Sequence, residues 1–172
     1  MNIPDPIPLP ERARMYAAVM HGAQVYNDEM PYTIHLERVV QVLERFGFNE
    51  PVMICAGWLH DSIEDTTTNY NAIRERFGKD VAELVFAVSS ELGRNREERN
   101  GKTYPKIKAA GSLAIALKLA DRIANVEFGL ANGGGMVAKY AKEYGKFKEA
   151  LYDLTGNERT IRMWAHLDRL SV

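Results

Sequence analysis

A chain of 172 residues, 46% hydrophobic and 26% charged, has the size and balance of one soluble globular domain, and 22 basic against 23 acidic side chains leave a formal net charge of −1. That near-neutrality excludes an overall field suited to nucleic acid or an anionic membrane, so any phosphate binding has to be local. A single cysteine, Cys55, excludes an intramolecular disulfide, and its apolar neighbours suit a reducing compartment.

Residues 1–10 read as a proline-rich arm without the basic start and unbroken apolar run of a signal peptide, and no later segment is long and apolar enough to span a bilayer. The expectation is a cytoplasmic protein with no membrane and no nucleic-acid partner, and residues 11–172 as its one domain. Met15, Ala18, Val19 and Gly22 recur at three- and four-residue steps and predict a first helix from about Glu11 to Gln24. YNDEMPY reads as a loop. TIHLERVVQVLERFG resumes the helical period and stops at Gly47, which places His35 near the start of a second helix. A third helix enters at Pro51 and is apolar on nearly every side as far as Leu59, so it belongs at the centre of a bundle and holds rigidly whatever its end carries.

NYNAIRERFG and KDVAELVFAVSSEL predict two more helices, split by Gly78. GRNREERNGKTYPKIK sets Arg94, Arg96, Arg99, Lys102, Lys106 and Lys108 against only Glu97 and Glu98, which makes it either a local attraction for phosphates or a solvated loop. SLAIALKLADRIANVEFGL is helical and apolar, NGGG at 132–135 joins it to MVAKYAKEYGKFKEALYDL, and NERTIRMWAHLDRL completes the chain. Without alternating strand residues or a fixed repeat, the fold class is all-α, a single-domain bundle of roughly seven to nine helices.

The chemistry concentrates in AGWLHDSIEDTT, where His60, Asp61, Glu64 and Asp65 crowd the end of the apolar helix. Residues three and four apart share a helical face, so these acids form a wall that repels itself and opposes the helix dipole. A divalent cation would relieve the repulsion, with further ligands from polar residues that interrupt other apolar helices: His35 and Asp121. Two imidazoles and two carboxylates, completed by water, suit six-coordinate Mn²⁺, with Fe²⁺ or another octahedral ion as substitute, better than a closed structural zinc site. Glu64 and Asp65 then remain free to orient or deprotonate a water. Asp121 has a competing explanation as the partner of Lys118 or Arg122 in a buried ion pair.

His35 in PYTIH, WLHDSIEDT, RFGKDVAELV and KLADRIAN ending at Asn125 together resemble the HD-domain phosphohydrolases, and among them the hydrolase domain of the Rel/Spo alarmone enzymes and their small stand-alone relatives. The resemblance covers roughly residues 11–130. It implies an Mn²⁺-dependent enzyme that removes pyrophosphate from the 3′ position of guanosine tetra- and pentaphosphate. It places the metal on His35, His60, Asp61 and Asp121, the catalytic acids on Glu64 and Asp65, and a substrate contact on Asn125; Tyr32 is a separate candidate for substrate binding. Lys118, Arg99, Lys102 and Tyr144 are further candidates for the substrate, a small nucleotide.

Two departures bear on base recognition. The family's Arg-Lys pair after the first helix is replaced by Val25, Tyr26 and Asn27, where Tyr26 either stacks on a base or is an ordinary exposed tyrosine. The family's histidine-proline step is His35-Leu36 here, and Val126, Glu127 and Phe128 follow Asn125 in place of an Arg-Thr pair. Preference for guanine over adenine, (p)ppGpp over (p)ppApp, therefore stays open. The length leaves no room for synthetase or regulatory domains, so the expectation is a dedicated hydrolase. The alternatives are an HD-type 5′-nucleotidase and a non-catalytic nucleotide-binding regulatory module, the latter disfavoured by the intact Glu64 and Asp65.

Overall fold

The structure is a computed structural model that describes residues 7–27, 29–133, 135–153 and 156–170. Among them the chain forms α1 (Leu9–His21), β1 (Val25–Tyr26), β2 (Met30–Pro31), α2 (Thr33–Arg45), α3 (Pro51–Leu59), α4 (Ser62–Asp65), α5 (Tyr70–Phe77), α6 (Lys79–Val88), α7 (Arg96–Ala110), α8 (Ser112–Asn132), α9 (Gly135–Leu151) and α10 (Glu158–Leu170). The fold is all-α and single-domain as the sequence implies. No helix among the described residues is long and apolar enough to cross a membrane.

Three departures from the expected elements have local causes. Helix α1 begins at Leu9 with Pro10 in its first turn, so the end of the expected arm is helical; residues 1–6 lie outside the described residues. YNDEMPY is not wholly a loop, because Val25 and Tyr26 pair antiparallel with Pro31 and Met30. Asn27 supplies the turn at a φ of 54°, a conformation that asparagine tolerates better than most residues. Finally, the basic stretch, read as either a local attraction for phosphates or a solvated loop, is largely the helix α7, although it contains both Gly101 and Pro105. Asn95 caps it by accepting from the Glu98 N–H at 2.9 Å, Glu97 and Glu98 favour its first turn, and Thr103, Tyr104 and Ile107 are buried. Tertiary packing of that face outweighs the two helix-breaking residues.

The core sits around α3 and α8. Helix α3 buries Met53, Ile54, Cys55, Ala56, Gly57 and Leu59 and packs against α1, α2, α6 and α8. Helix α8 runs against α2, α6, α7, α9 and α10, burying apolar side chains from Ala114 to Phe128. Each fully buried Leu, Ile or Phe contributes about 1.5–3 kcal/mol of burial energy, enough for these helices to hold their polar interruptions in place. Cys55 is fully buried, and burial pushes its thiol up to about 11.

Helices α2 and α3 approach closely at Gly57, where an added Cβ would lie 2.9 Å from Val40 Cγ2 and 3.0 Å from Leu43 Cδ1. Gly57→Val should therefore cost about 1–3 kcal/mol of stability through overpacking. Urea unfolding, read as a lower midpoint at unchanged slope, checks this.

Candidate metal centre

Three helices deliver the polar cluster. His35 sits in the first turn of α2, entered directly from the hairpin through Tyr32. His60 and Asp61 follow the last turn of α3 with near-helical backbone angles, and the Asp65 N–H bonds back to the Asp61 carbonyl at 2.9 Å. Asp121 interrupts the buried length of α8. His35, His60 and Asp121 each offer a donor atom within 4.8 Å of the others. Asp61 joins them, its Oδ2 lying 3.0 Å from His60 Nε2 and 3.5 Å from His35 Nε2.

These separations test whether a metal fits. An octahedral ion with bonds of about 2.1 Å holds adjacent donors about 3 Å apart and opposite donors about 4.2 Å apart. The two Nε2 atoms are 3.3 Å apart, and Asp121 Oδ1 lies 3.4 Å from His35 Nε2 and 4.0 Å from His60 Nε2, within that span. The outward nitrogens are also arranged for it. His60 Nδ1–H donates to the Gly57 carbonyl at 2.9 Å, which turns Nε2 to the cluster. His35 Nδ1 has no hydrogen-bond partner among the described residues, and its ring is held instead by the Tyr26 ring, stacked at 5.1 Å and 17°. The donor set fits a divalent cation.

The electrostatics point the same way. Burial disfavours a charged His35, yet hydrogen bonds to Asp121 and Asp61 outweigh it and raise the imidazole to about 9. His60 is likewise raised against burial, chiefly by Asp61. Both carboxylates are held below their usual range despite burial, Asp61 by His60 and His35, and Asp121 by Lys118 and His35. Such a field favours positive charge between the carboxylates, whether carried by an imidazolium or a metal.

The remaining candidates take more varied places. Lys118 Nζ lies 2.9 Å from Asp121 Oδ2, so the ion pair and the place in the cluster, posed as competing explanations of Asp121, hold together on its two oxygens. Tyr32, expected as a substrate contact, donates to Asp61 Oδ2 at 2.7 Å and to Asp65 Oδ2 at 3.2 Å. Burial and Asp61 hold that hydroxyl well above its usual range, so it stays a donor. Asp65 is raised by burial and by the charges of Asp61 and Glu64. Glu64 is exposed and accepts from the Ser90 N–H at 3.0 Å.

Asn125 is only 7% exposed and spends its side chain inside the protein, donating to Asp121 Oδ1 at 2.6 Å and to the Asp121 carbonyl at 3.0 Å while accepting from Tyr26 at 2.8 Å. Tyr26, 6% exposed, is thus neither an exposed tyrosine nor a free stacking surface. Its role as a clasp between α8 and His35 was missed because the hairpin that buries it has only two residues per strand. The Tyr144 hydroxyl bonds Asp168 on α10, whereas Tyr140, also on α9, feels the charge of Asp121 after burial in raising its hydroxyl. Lys102 caps the Leu92 carbonyl at 2.9 Å and pairs with Glu98 at 3.0 Å, and Arg99 is exposed; neither belongs to the cluster.

Comparison with known proteins gives the family. The sequence matches the HD domain over residues 13–144. A guanosine-3′,5′-bis(diphosphate) 3′-pyrophosphohydrolase of Aquifex aeolicus is 37% identical over 68% of this chain, which spans only 17% of that protein's length. The enzyme of the same name from Drosophila melanogaster is 30% identical over 64% of each chain. A solved metazoan ortholog of SpoT, described as hydrolysing ppGpp, shares the fold at a TM-score of 0.80 and 23% identity, covering 95% of this chain and 96% of that one. With the sequence match running through all four cluster residues, the chain belongs to the HD domain family.

Proposed function

We propose that this chain is an Mn²⁺-dependent hydrolase that removes the 3′-pyrophosphate from alarmone nucleotides such as (p)ppGpp or (p)ppApp in the cytoplasm. The meeting of His35, His60 and Asp121, with Asp61 against both imidazoles and Asp65 hydrogen-bonded into the same network through Tyr32, carries the reading. The names of the Aquifex and Drosophila relatives support the reaction type.

His35, His60, Asp61 and Asp121 hold the cation, and the mixture of imidazole and carboxylate donors without a thiolate favours Mn²⁺ or Fe²⁺. Such an ion supplies Lewis acidity, polarising a phosphoryl oxygen and making water a competent nucleophile at neutral pH. Asp65, steadied by Tyr32, accepts the proton of the attacking water, and Glu64, tethered to the Ser90 backbone, orients that water beside it. Lys118 and Asn125 keep Asp121 ionised and aimed at the histidines.

A second reading, a phosphomonoesterase acting on 5′-nucleotides, draws on one observation. Asn125 and Tyr26, at positions expected to meet the nucleotide, are spent on each other and on Asp121. Product identity separates the two reactions, since the phosphomonoesterase liberates orthophosphate.

The deciding experiment mixes the pure protein with (p)ppGpp and with (p)ppApp, with and without Mn²⁺. Pyrophosphate should appear only with the metal, and release from neither nucleotide would refute the alarmone assignment. Glu64→Gln and Asp65→Asn should each lower kcat by roughly 10²–10⁴-fold while leaving metal binding intact, and unchanged turnover would remove their proton-handling roles. Mn²⁺ at 100 times its Kd should stabilise the fold by about 2.7 kcal/mol. Thermal melting with Mn²⁺ or EDTA reads this shift, which Asp121→Asn should largely abolish.

A further inference from the structure

Asp65, proposed above to take the proton of the attacking water, is exposed, and the only side-chain hydrogen bond to its carboxylate among the described residues comes from the Tyr32 hydroxyl at 3.2 Å. That hydroxyl lies closer to Asp61, at 2.7 Å. The bond to Asp65 therefore has little margin, since a shift of about 0.4 Å takes it to about 3.6 Å, where a hydrogen bond ends. The Tyr32 ring has to be fixed more tightly than that.

The end of α1 fixes it. Ala13, Ala17 and His21 are buried at four-residue steps, which puts His21 on the inner face of a helix packed against α3 and α4, the elements on either side of Asp61. Tyr16 and Thr68, their hydroxyl oxygens 3.0 Å apart, tie the same helix to the loop beyond α4. Gly22 then ends α1 at a φ of 50°, and the His21 ring lies against the Tyr32 ring, 4.7 Å between centroids and inclined by only 14°. Gln24 joins the two residues a second time. Its side-chain oxygen accepts from His21 Nδ1–H at 2.8 Å, and its backbone carbonyl accepts from the Tyr32 N–H at 3.0 Å.

His21 is 4% exposed, and its Nε2 has no hydrogen-bond partner among the described residues. Its side chain thus makes one aromatic contact and one hydrogen bond there, and both lead to Tyr32. Groups that take part in catalysis must be held within about 0.5 Å of their working geometry by neighbours whose own rotamers are locked. We infer that His21 is a positioning residue for the hydrolysis: its ring clamps Tyr32, and the Tyr32 hydroxyl in turn keeps Asp65 aimed at the water. This role rests on the function proposed above.

Variants at His21 test it. His21→Ala should lower kcat about 10–100-fold, the loss expected of a misplacement of up to about 1 Å, at unchanged KM and with the Mn²⁺-induced rise in melting midpoint intact. His21→Asn, small and polar at a helix end, should match it and serves as the second variant. His21→Phe keeps the stacked ring and should return kcat to within about threefold of the intact protein. Tyr32→Phe removes the hydroxyl, and on that background His21→Ala should change kcat by less than about twofold, because residues acting as one unit are not additive. Full additivity, a His21→Phe variant as slow as His21→Ala, or a loss confined to KM overturns the inference. Crystal structures of the variants read it without substrate. In His21→Ala the Tyr32 hydroxyl should stand off Asp65 while His35, His60 and Asp121 stay in place, and in His21→Phe it should remain bonded. An undisturbed hydrogen bond from Tyr32 to Asp65 in His21→Ala overturns the inference whether or not the intact protein releases pyrophosphate, whereas absent pyrophosphate counts against the alarmone assignment alone.

Discussion

Two carboxylates withdrawn from water at the meeting of three apolar helices are the constraint around which this protein is organised. An uncompensated buried charge would cost several kcal/mol, so Asp61 and Asp121 can stand there only with cationic or hydrogen-bonding partners on every side. His35 and His60 face them, Lys118 holds the second oxygen of Asp121, and Tyr32 and Asn125 donate to what remains. The same compensation makes the cluster a place where a divalent cation is favoured. The apolar girth of α3 and the tight contact at Gly57 keep His60 from relaxing away from it.

Around the cluster the hairpin has a larger role than its size suggests. Tyr26 on β1 stacks on His35 and hydrogen-bonds Asn125, and Tyr32 just beyond β2 bridges Asp61 and Asp65. His21 at the end of α1 stacks on Tyr32 at 4.7 Å, so the helix before the hairpin also steadies the acidic pair. Through Asn125, Tyr26 thereby connects His35 on α2 with Asp121 on α8, and Tyr32 ties Asp61 to Asp65. At this turn the chain places a buried ring, that of Tyr26.

The helical period carried most of the fold. The continuous apolar pattern of α3 and α8 made them central, and a histidine or aspartate on such a helix stood out because hydrophobic burial penalises it. What did not show was the destination of groups whose partners are distant in sequence. Asn125 and Tyr26 are 99 residues apart, and nothing in either local pattern announces their hydrogen bond. The basic stretch around Arg96 misled for the opposite reason: its composition is that of a solvated loop, and only burial of Tyr104 and Ile107 turns it into a helix.

The sequence by itself determined that this is a helical bundle with an acidic and imidazole-rich step at the end of its most apolar helix, since periodicity and charge are local properties of the chain. Only the tertiary structure decided that His35 and Asp121 reach that step, that Asn125, Tyr26 and Tyr32 brace it, and that His21 stacks on Tyr32 from the helix before. The reason is that side-chain direction and distance depend on how helices far apart in sequence pack, and packing is settled by the whole core at once.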